Sequence, residues 1–379
     1  MRKKILNYYK NFSHSLIFFL IIFSISASIF FLYRIGLKKD FSFAHSGINN
    51  NYFSKLKIYY DYKFFQKQKK YTEGHTITPI TFASHVDEKN DKNKHKKIMR
   101  NGLLYYNENA IATILVCHGF MSSKEDVTFL RYIFKDYNVL TFDFRAHGEL
   151  TDDQLCTFGQ DEKNDVIGAV NFIKENQKLK DKKIFVYGFS MGAVASILAS
   201  YQDPNLFSGA IWDCPFDSTN GLINRAITKM KINLFGYNFT FPGSFLLKKY
   251  VYHPYLQSIL KFMLRSLAQM DATKINTVIK PISPQEAIKN VKIPFFLISC
   301  HNDDKAPPIA VKKIYNNALE SKFKRLWISS GRRHFDSFFA NPEKYIYKVR
   351  NFLKLIITGE YLKKKKEKIK EDPCMYCYF

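Results

Sequence analysis

The spacing of apolar and polar positions changes at about residue 111. Before it, residues 76–82 and 98–106 alternate between apolar and polar side chains, which is typical of antiparallel strands. After it, short apolar runs alternate with segments whose apolar residues recur at helical spacing, and this predicts a mainly parallel α/β sheet with helices on both faces. The predicted buried strands are 111–117, 138–143, 184–187, 209–212, 293–299 and 323–329, with helices at about 124–137 and 160–174 and from Pro342 onwards.

The apolar run at 184–187 leads directly into Gly188, Ser190 and Gly192, and apolar residues then continue at the spacing of a packed helix. A strand, the pattern G-x-S-x-G and a helix are together typical of a nucleophile elbow. A side chain at either glycine would collide where the strand reverses into the helix, so the turn leaves the serine strained and exposed. Backbone N–H groups at the start of the helix would stabilise negative charge that develops there. The motif is short, so its interpretation depends on partner residues elsewhere in the chain.

Polar residues at the ends of later strands supply the partners that a serine nucleophile needs. Attack on an acyl group requires a base, an acid that orients the base, and donors for the oxyanion. His334 follows the last predicted strand, and Asp303 and Asp304 follow the strand before it, which gives the chain order serine, acid, histidine. Only one of two consecutive carboxylates can face the histidine, and the spacing to Pro294 and Pro307 favours Asp303.

The predicted oxyanion donors are the backbone N–H groups of Phe120 and Met191. His118 lies just before this loop and is expected to fix it by hydrogen bonding, with duty as the general base as the alternative. Arg145 and His147 precede the serine in the chain, against the required order. We therefore interpret both as loop scaffolding.

These motifs together resemble the α/β-hydrolase superfamily. The resemblance covers about residues 76–358, and the segments at 145–148, 157–159 and 213–216 are similar to a branch of serine hydrolases and peptidase-like proteins found in bacteria, plants and protists. It implies an α/β-hydrolase fold and a serine hydrolase that needs no cofactor. Two positions depart from the usual pattern of the family: Cys300 stands where Gly is usual, and Glu149-Leu150 stands where Ser or Thr is common. Neither departure removes a catalytic group. The motifs that carry the resemblance are 118–120, 143–148, 188–192, 302–307 and 331–334.

Residues 1–40 carry a predicted membrane anchor. An uncharged apolar run at 16–33 has basic residues on both sides, and about 18 apolar residues reach across a hydrocarbon core as a helix. A cleaved signal peptide is the alternative, because small residues occur at 24–28, but the apolar run continues past them and favours an uncleaved signal anchor. The flanking charges are nearly even, so they give only a small preference for a cytosolic N-terminus. We expect a single-pass protein of an endomembrane or the cell surface, with 41–75 as a stalk.

The segment at about 217–291 is an insertion that the sheet does not need, and its many Phe, Leu and Tyr residues predict a helical cap over the site. These residues would line an acyl pocket or pack the cap onto the hydrolase domain at 76–358. A glycosylation sequon at Asn238 matters only if this side is lumenal. The tail at 359–379 contains a lysine run that would bind anionic lipid, with a solvated helix end as the alternative.

The net charge of +25 comes from lysine-rich composition along the whole chain, and no nucleic-acid-binding motif accompanies it. We therefore expect no nucleic acid partner. The six cysteines are too scattered for a disulfide framework. Cys374 and Cys377 form one C-x-x-C, but no second pair completes a zinc site. We expect neither a metal nor a cofactor.

The sequence thus predicts a membrane-anchored serine hydrolase. It would cleave a carboxylic ester or thioester with an apolar acyl group, through an acyl-enzyme on Ser190, His334 and Asp303. Its partners would be a small-molecule acyl substrate, with lipids among the candidates, and the membrane. The alternatives are a serine peptidase of the same fold, or an inactive membrane-bound scaffold or binding protein, since a fold does not guarantee its chemistry.

Overall fold

The computed structural model of the chain describes residues 76–85, 98–148, 155–219 and 283–364, with short pieces between the last two ranges (221–222, 225, 231–234 and 237–240). The predicted anchor at 1–40, the stalk, most of the predicted cap and the end of the basic tail lie outside these residues. Among the described residues, no helix has both the length and the apolar character needed to cross a membrane.

Eight strands form one sheet, and six neighbouring strands of it run parallel. The inner strands are buried over their whole length and mostly apolar because helices cover both faces, as is usual for parallel sheets. β1 and β2 are antiparallel additions at one edge, as their alternating sequences predict. The strands are β1 (Thr76–Ala83), β2 (Met99–Tyr106), β3 (Thr113–Cys117), β4 (Asn138–Phe142), β5 (Ile184–Phe189), β6 (Gly209–Asp213), β9 (Phe295–Cys300) and β10 (Lys324–Ser329), in the spatial order β1-β2-β4-β3-β5-β6-β9-β10.

Helices lie on both faces of this sheet. Consecutive residues of a strand point to opposite faces, and on β6 the Trp212 indole donates to Ser196 Oγ while the Tyr345 hydroxyl donates to Asp213. The helices that carry Ser196 and Tyr345 therefore cover opposite faces. The helices are α1 (Glu162–Glu175), α2 (Met191–Gln202), α3 (Pro284–Ala287), α4 (Pro308–Asn317), α5 (Ser337–Ala340), α6 (Pro342–Ile357) and α7 (Glu360–Lys364), with 3₁₀ turns at Thr128–Tyr132 and Ile288–Asn290.

The strand order determines which loops meet at the carboxyl edge of the parallel strands. β3 pairs with β5, so the loop after Cys117 lies beside the turn after Phe189. β9 pairs with β10, so the loops after these two strands are also neighbours. β4 and β5 lie on opposite sides of β3, which makes the end of β3 a topological switch point, where α/β proteins bind ligands.

Two predictions about local structure are wrong. Residues 124–137 form a 3₁₀ turn within irregular turns instead of a helix. The Lys124 N–H donates to Asp143 and the Ser123 N–H donates to Asp126, so side chains occupy donors at the start of the segment. Within the predicted helical cap, β7 (Lys231–Leu234) and β8 (Tyr237–Thr240) form an antiparallel hairpin instead. The apolar residues of these two segments alternate along the sequence, as is typical of strands.

The start of α6 is confirmed. The Asn341 side chain accepts a hydrogen bond from the Lys344 N–H at 3.0 Å, and Pro342 is the first helical residue, where its missing N–H costs nothing. The predicted strands and the helix at 160–174 are also confirmed, with ends displaced by one or two residues.

Candidate active site

Ser190 lies in the sharp turn between β5 and α2. Its backbone has φ 51° and ψ −114°, in the left-handed region that costs a residue with a side chain about 1–3 kcal/mol. The two glycines are required sterically, as the sequence predicted. A Cβ on Gly188 would lie 2.6 Å from the Ala193 Cα, and a Cβ on Gly192 would lie 2.2 Å from the Cys117 carbonyl oxygen. Backbone atoms occupy both positions, so the turn excludes any larger residue.

His334 and Asp303 lie next to this serine in one chain of hydrogen bonds. The Ser190 Oγ is 2.9 Å from the His334 Nε2, and the His334 Nδ1 is 2.7 Å from the Asp303 Oδ2. In this arrangement Nδ1–H donates to the carboxylate, and Nε2 is left to accept the proton of the serine hydroxyl. The structure thus brings together the three residues that the sequence selected, from loops up to 144 residues apart in the chain.

Asp303, and not Asp304, is the carboxylate that faces the histidine. Asp304 is exposed, whereas the Asp303 side chain is fully buried. Burial by itself raises the pKa of Asp303, but hydrogen bonding to His334 and to two backbone N–H groups holds the pKa below its usual value. These two donors are the N–H groups of Lys305 and Ala306, each 2.9 Å from Oδ1. The carboxylate is therefore charged at neutral pH and fixed in orientation.

The loop that carries Phe120 lies against the serine. A Cβ on Gly119 would be 3.5 Å from the Ser190 Cβ and would clash with the ring of Phe189. Met191 is the first residue of α2, so its N–H is one of the groups that have no partner within the helix. Both predicted oxyanion donors therefore belong to the segments that flank the serine.

Two neutral histidines hold this loop in place. The His118 Nδ1 donates to the Gly119 carbonyl at 2.8 Å, and its Nε2 accepts from the Phe144 N–H at 3.1 Å. His147 is arranged in the same way, because Nδ1 donates to the Arg145 carbonyl and Nε2 accepts from the Met121 N–H. Burial lowers the pKa of His147 and lowers the pKa of His118 to about 3. Both rings act as scaffolding, as predicted, and neither hydrogen-bonds to the serine.

Two buried ion pairs stabilise the loops behind the histidines. Arg145 binds Asp165 through Nε at 3.1 Å and through a terminal nitrogen at 2.8 Å, a bidentate geometry. The Lys124 Nζ lies 2.7 Å from the Asp143 Oδ2, and the Lys124 N–H donates to Oδ1 of the same carboxylate. Sequence reasoning placed Arg145 in this scaffold but missed the role of Lys124.

A buried polar cluster around Asp213 was not indicated by the sequence. The Asp213 Oδ2 accepts from the Tyr345 hydroxyl at 2.8 Å and from the Tyr187 hydroxyl at 3.3 Å, whereas its Oδ1 is buried without a partner. Burial raises the pKa of Asp213 to about 6. The only sequence signal was its position at the end of a strand. Because its side chain faces α6, it does not belong to the hydrogen-bond chain of the serine.

One cluster in the described residues has atoms of types that bind metals. The thiols of Cys214 and Cys300 and the Asp303 carboxylate lie within 4.8 Å of one another. The carboxylate already accepts three hydrogen bonds from His334, Lys305 and Ala306, and both thiols are buried. A metal here would displace the His334 contact, so the cluster does not fit a metal that assists the serine.

Residues 108–239 match a family model described as serine aminopeptidase, S33, a segment that includes the elbow. An esterase from Pyrococcus furiosus superposes with a TM-score of 0.53 at 21% identity, over 76% of this chain and 94% of that one. A peroxisomal α/β-hydrolase from Saccharomyces cerevisiae gives 0.51 at 15% identity, over 75% and 90%. An acylaminoacyl peptidase from Pyrococcus horikoshii gives 0.51 at 16% identity, over 78% and 43%. The chain has the α/β-hydrolase fold. The matched segment is similar to serine hydrolases, and no curated protein matches the sequence of the chain.

Proposed function

We propose that this α/β-hydrolase cleaves a carboxylic ester or thioester through an acyl-enzyme on Ser190. The observation that carries the proposal is the continuous hydrogen-bond chain from Ser190 Oγ through His334 to Asp303. His334 takes the serine proton as the hydroxyl attacks the acyl carbon, then returns it to the leaving alcohol or thiol. Water, activated by the same imidazole, then releases the acid.

The remaining roles follow from position. Asp303 holds the tautomer of His334 and stabilises the imidazolium that forms. The N–H groups of Phe120 and Met191 would bind the tetrahedral oxyanion, and the dipole of α2 adds to their effect. This chemistry requires no cofactor.

An apolar acyl group is favoured by the aromatic side chains beside the oxyanion loop. The partly exposed ring of Phe120 packs 4.9 Å from Phe158, which packs 6.3 Å from Phe216. Buried aromatic surface of this kind would bind a hydrocarbon chain better than a charged group. Anchoring by residues 1–40 would place such an enzyme at a membrane, close to lipid-derived esters.

Peptide hydrolysis is the second candidate, favoured by the family model, which is described as a serine aminopeptidase. The same triad would serve both reactions, so the leaving group decides between them. Turnover of p-nitrophenyl acyl esters of increasing chain length, measured beside aminoacyl p-nitroanilides, separates the two candidates directly.

The first test is labelling of the full-length protein with a fluorophosphonate. We expect the wild type to be labelled and Ser190→Ala not to be labelled. In Asp303→Asn the tautomer of His334 is no longer held, so kcat for the p-nitrophenyl esters should fall by about 10³- to 10⁴-fold. Asp304→Asn is the matched control, since it makes the same change one residue away, and should stay within about twofold because its side chain is exposed. A folded wild type that is not labelled would refute the enzyme and favour the scaffold alternative.

A further inference from the structure

A basic cavity of about 450 Å³ lies at the opposite edge of the sheet from the serine, where β5, β6, β9 and β10 begin. No acidic residue lines it among the described parts of the chain. Its lining includes six lysines from three separate segments: Lys174, Lys180, Lys182, Lys183, Lys292 and Lys322.

None of these six lysines pairs with a described carboxylate. The Lys182 Nζ donates to the Ala110 carbonyl at 2.7 Å, and the Lys183 Nζ lies 3.4 Å from the Ile357 carbonyl. The other four are exposed, and no ion pair joins any of them to a described carboxylate. The backbones of Lys292 and Lys322 are held together, because the Lys322 N–H donates to the Lys292 carbonyl. Like charges repel, so a bound anion would stabilise a group of lysines that share one cavity.

The cavity differs from an ordinary lysine-rich surface in its walls. Buried apolar side chains line it between the lysines, among them Leu206, Phe207 and Ile293. A concave surface with apolar walls and charges of one sign concentrates the electrostatic potential inside the cavity. The volume lies in the range of sites that hold small molecules. A net charge of +25 explains many lysines, but not their convergence on one concavity.

The basic tail begins at the same place. Tyr361, on α7, lines the cavity, and the run of four lysines at 363–366 starts two residues later in the chain.

We propose that this cavity binds a multiply phosphorylated group, either the head group of an anionic lipid or a free polyphosphate. Lysine binds phosphate as a mobile point charge, and clustered lysines suit a ligand with several phosphates. β5 begins at the cavity with Ile184 and ends next to Ser190, so the two sites are about 20 Å apart. The ligand would thus attach the protein to a surface or stabilise it, without contacting the reacting atoms at Ser190.

The test compares full-length wild type with Lys180→Glu/Lys292→Glu. Lys313→Glu/Lys344→Glu is the matched control, because it changes the net charge equally at exposed lysines outside the cavity. Binding of inositol trisphosphate is measured by calorimetry at low and high salt. Binding to phosphatidylcholine vesicles with and without phosphatidylinositol bisphosphate is measured by sedimentation. Far-UV circular dichroism and urea unfolding report whether each variant folds, and Lys180→Gln/Lys292→Gln replaces the reversal if it does not.

We expect the cavity variant to bind at least about tenfold more weakly, and the control to stay within about twofold of wild type, with both variants folded like wild type. Binding of the free inositol phosphate without vesicle binding would identify a soluble ligand, and binding to both would identify a lipid head group. The proposal is overturned if wild type binds neither probe, or if the control variant loses as much affinity as the cavity variant.

Discussion

We expect the protein to become less stable in acid because His118, which holds the loop that carries Phe120, is buried in its neutral form. In the folded protein this ring is buried, with both nitrogens in hydrogen bonds that require the neutral form. Its pKa is about 3 in the fold and about 6.5 in the unfolded chain, so the unfolded chain binds the proton more tightly. The free energy of unfolding therefore falls as the pH drops below about 6.5, by about 1.4 kcal/mol for each pH unit. Between pH 7 and pH 5 this one group removes about 2 kcal/mol.

The contribution of His118 is isolated by comparing the free energies of unfolding of two proteins that share all other titrating groups. We compare wild type with His118→Asn, whose amide can still donate to the Gly119 carbonyl but leaves the Phe144 N–H without an acceptor. At pH 7 the variant should be less stable by about 1–3 kcal/mol, the cost of a buried donor without a partner. At pH 5 the difference should shrink by about 2 kcal/mol, because the variant has no ring to protonate.

Urea unfolding of the full-length protein, followed by tryptophan fluorescence, measures both differences. The chain has two tryptophans, and both Trp212 and Trp327 lie in strands of the sheet. Asp213 and other acids titrate in this range in both proteins and cancel in the subtraction. A difference between wild type and variant that is the same at pH 7 and pH 5 would show that His118 is not held neutral, and would refute the reasoning.

Three further substitutions test the scaffold. Gly192→Ala drives a Cβ into the Cys117 carbonyl and should cost about 3 kcal/mol with loss of most esterase activity; normal activity would contradict the tight elbow. Arg145→Lys keeps the charge but loses the bidentate contact to Asp165, and should lower the free energy of unfolding in urea by about 2 kcal/mol; an unchanged midpoint would exclude a structural role. Asn341→Ala removes the cap of α6 and should cost about 1 kcal/mol while kcat stays unchanged, which separates loss of stability from loss of chemistry.

The parallel sheet and the catalytic candidates could be predicted because their signals are local. Each buried strand is a short apolar run, and each candidate residue follows such a run directly. Once the strands are parallel, these ends must lie at one edge, so Ser190, Asp303 and His334 needed only their order in the chain. Consecutive side chains point apart, so only one of Asp303 and Asp304 can face the histidine, and the spacing to Pro294 and Pro307 selected Asp303.

Features that depend on distant partners could not be predicted. Apolar residues at 127, 130 and 134 have helical spacing, yet the contact of Lys124 with Asp143 replaces the first turn of the expected helix. Asp213 depends on Tyr345, which is 132 residues away. The basic cavity assembles lysines whose segments meet only because β5, β6, β9 and β10 are neighbours. In the sequence these lysines contribute only to the net charge.

Backbone strain in the described residues is concentrated at the catalytic edge of the sheet. The loops that carry Ser190 and its neighbours hold non-glycine residues in left-handed conformations, each at a cost of about 1–3 kcal/mol. Neutral histidines and buried ion pairs stabilise these conformations, so the loss of one should displace several loops together. The basic cavity lies where strands begin, and none of its lining residues has a left-handed backbone. Changes to its lysines should therefore leave the serine reactive, which allows each proposal to fail without the other. The residues with positive φ are Met121, Ala146, Phe158, Ser190, Cys214 and Phe335.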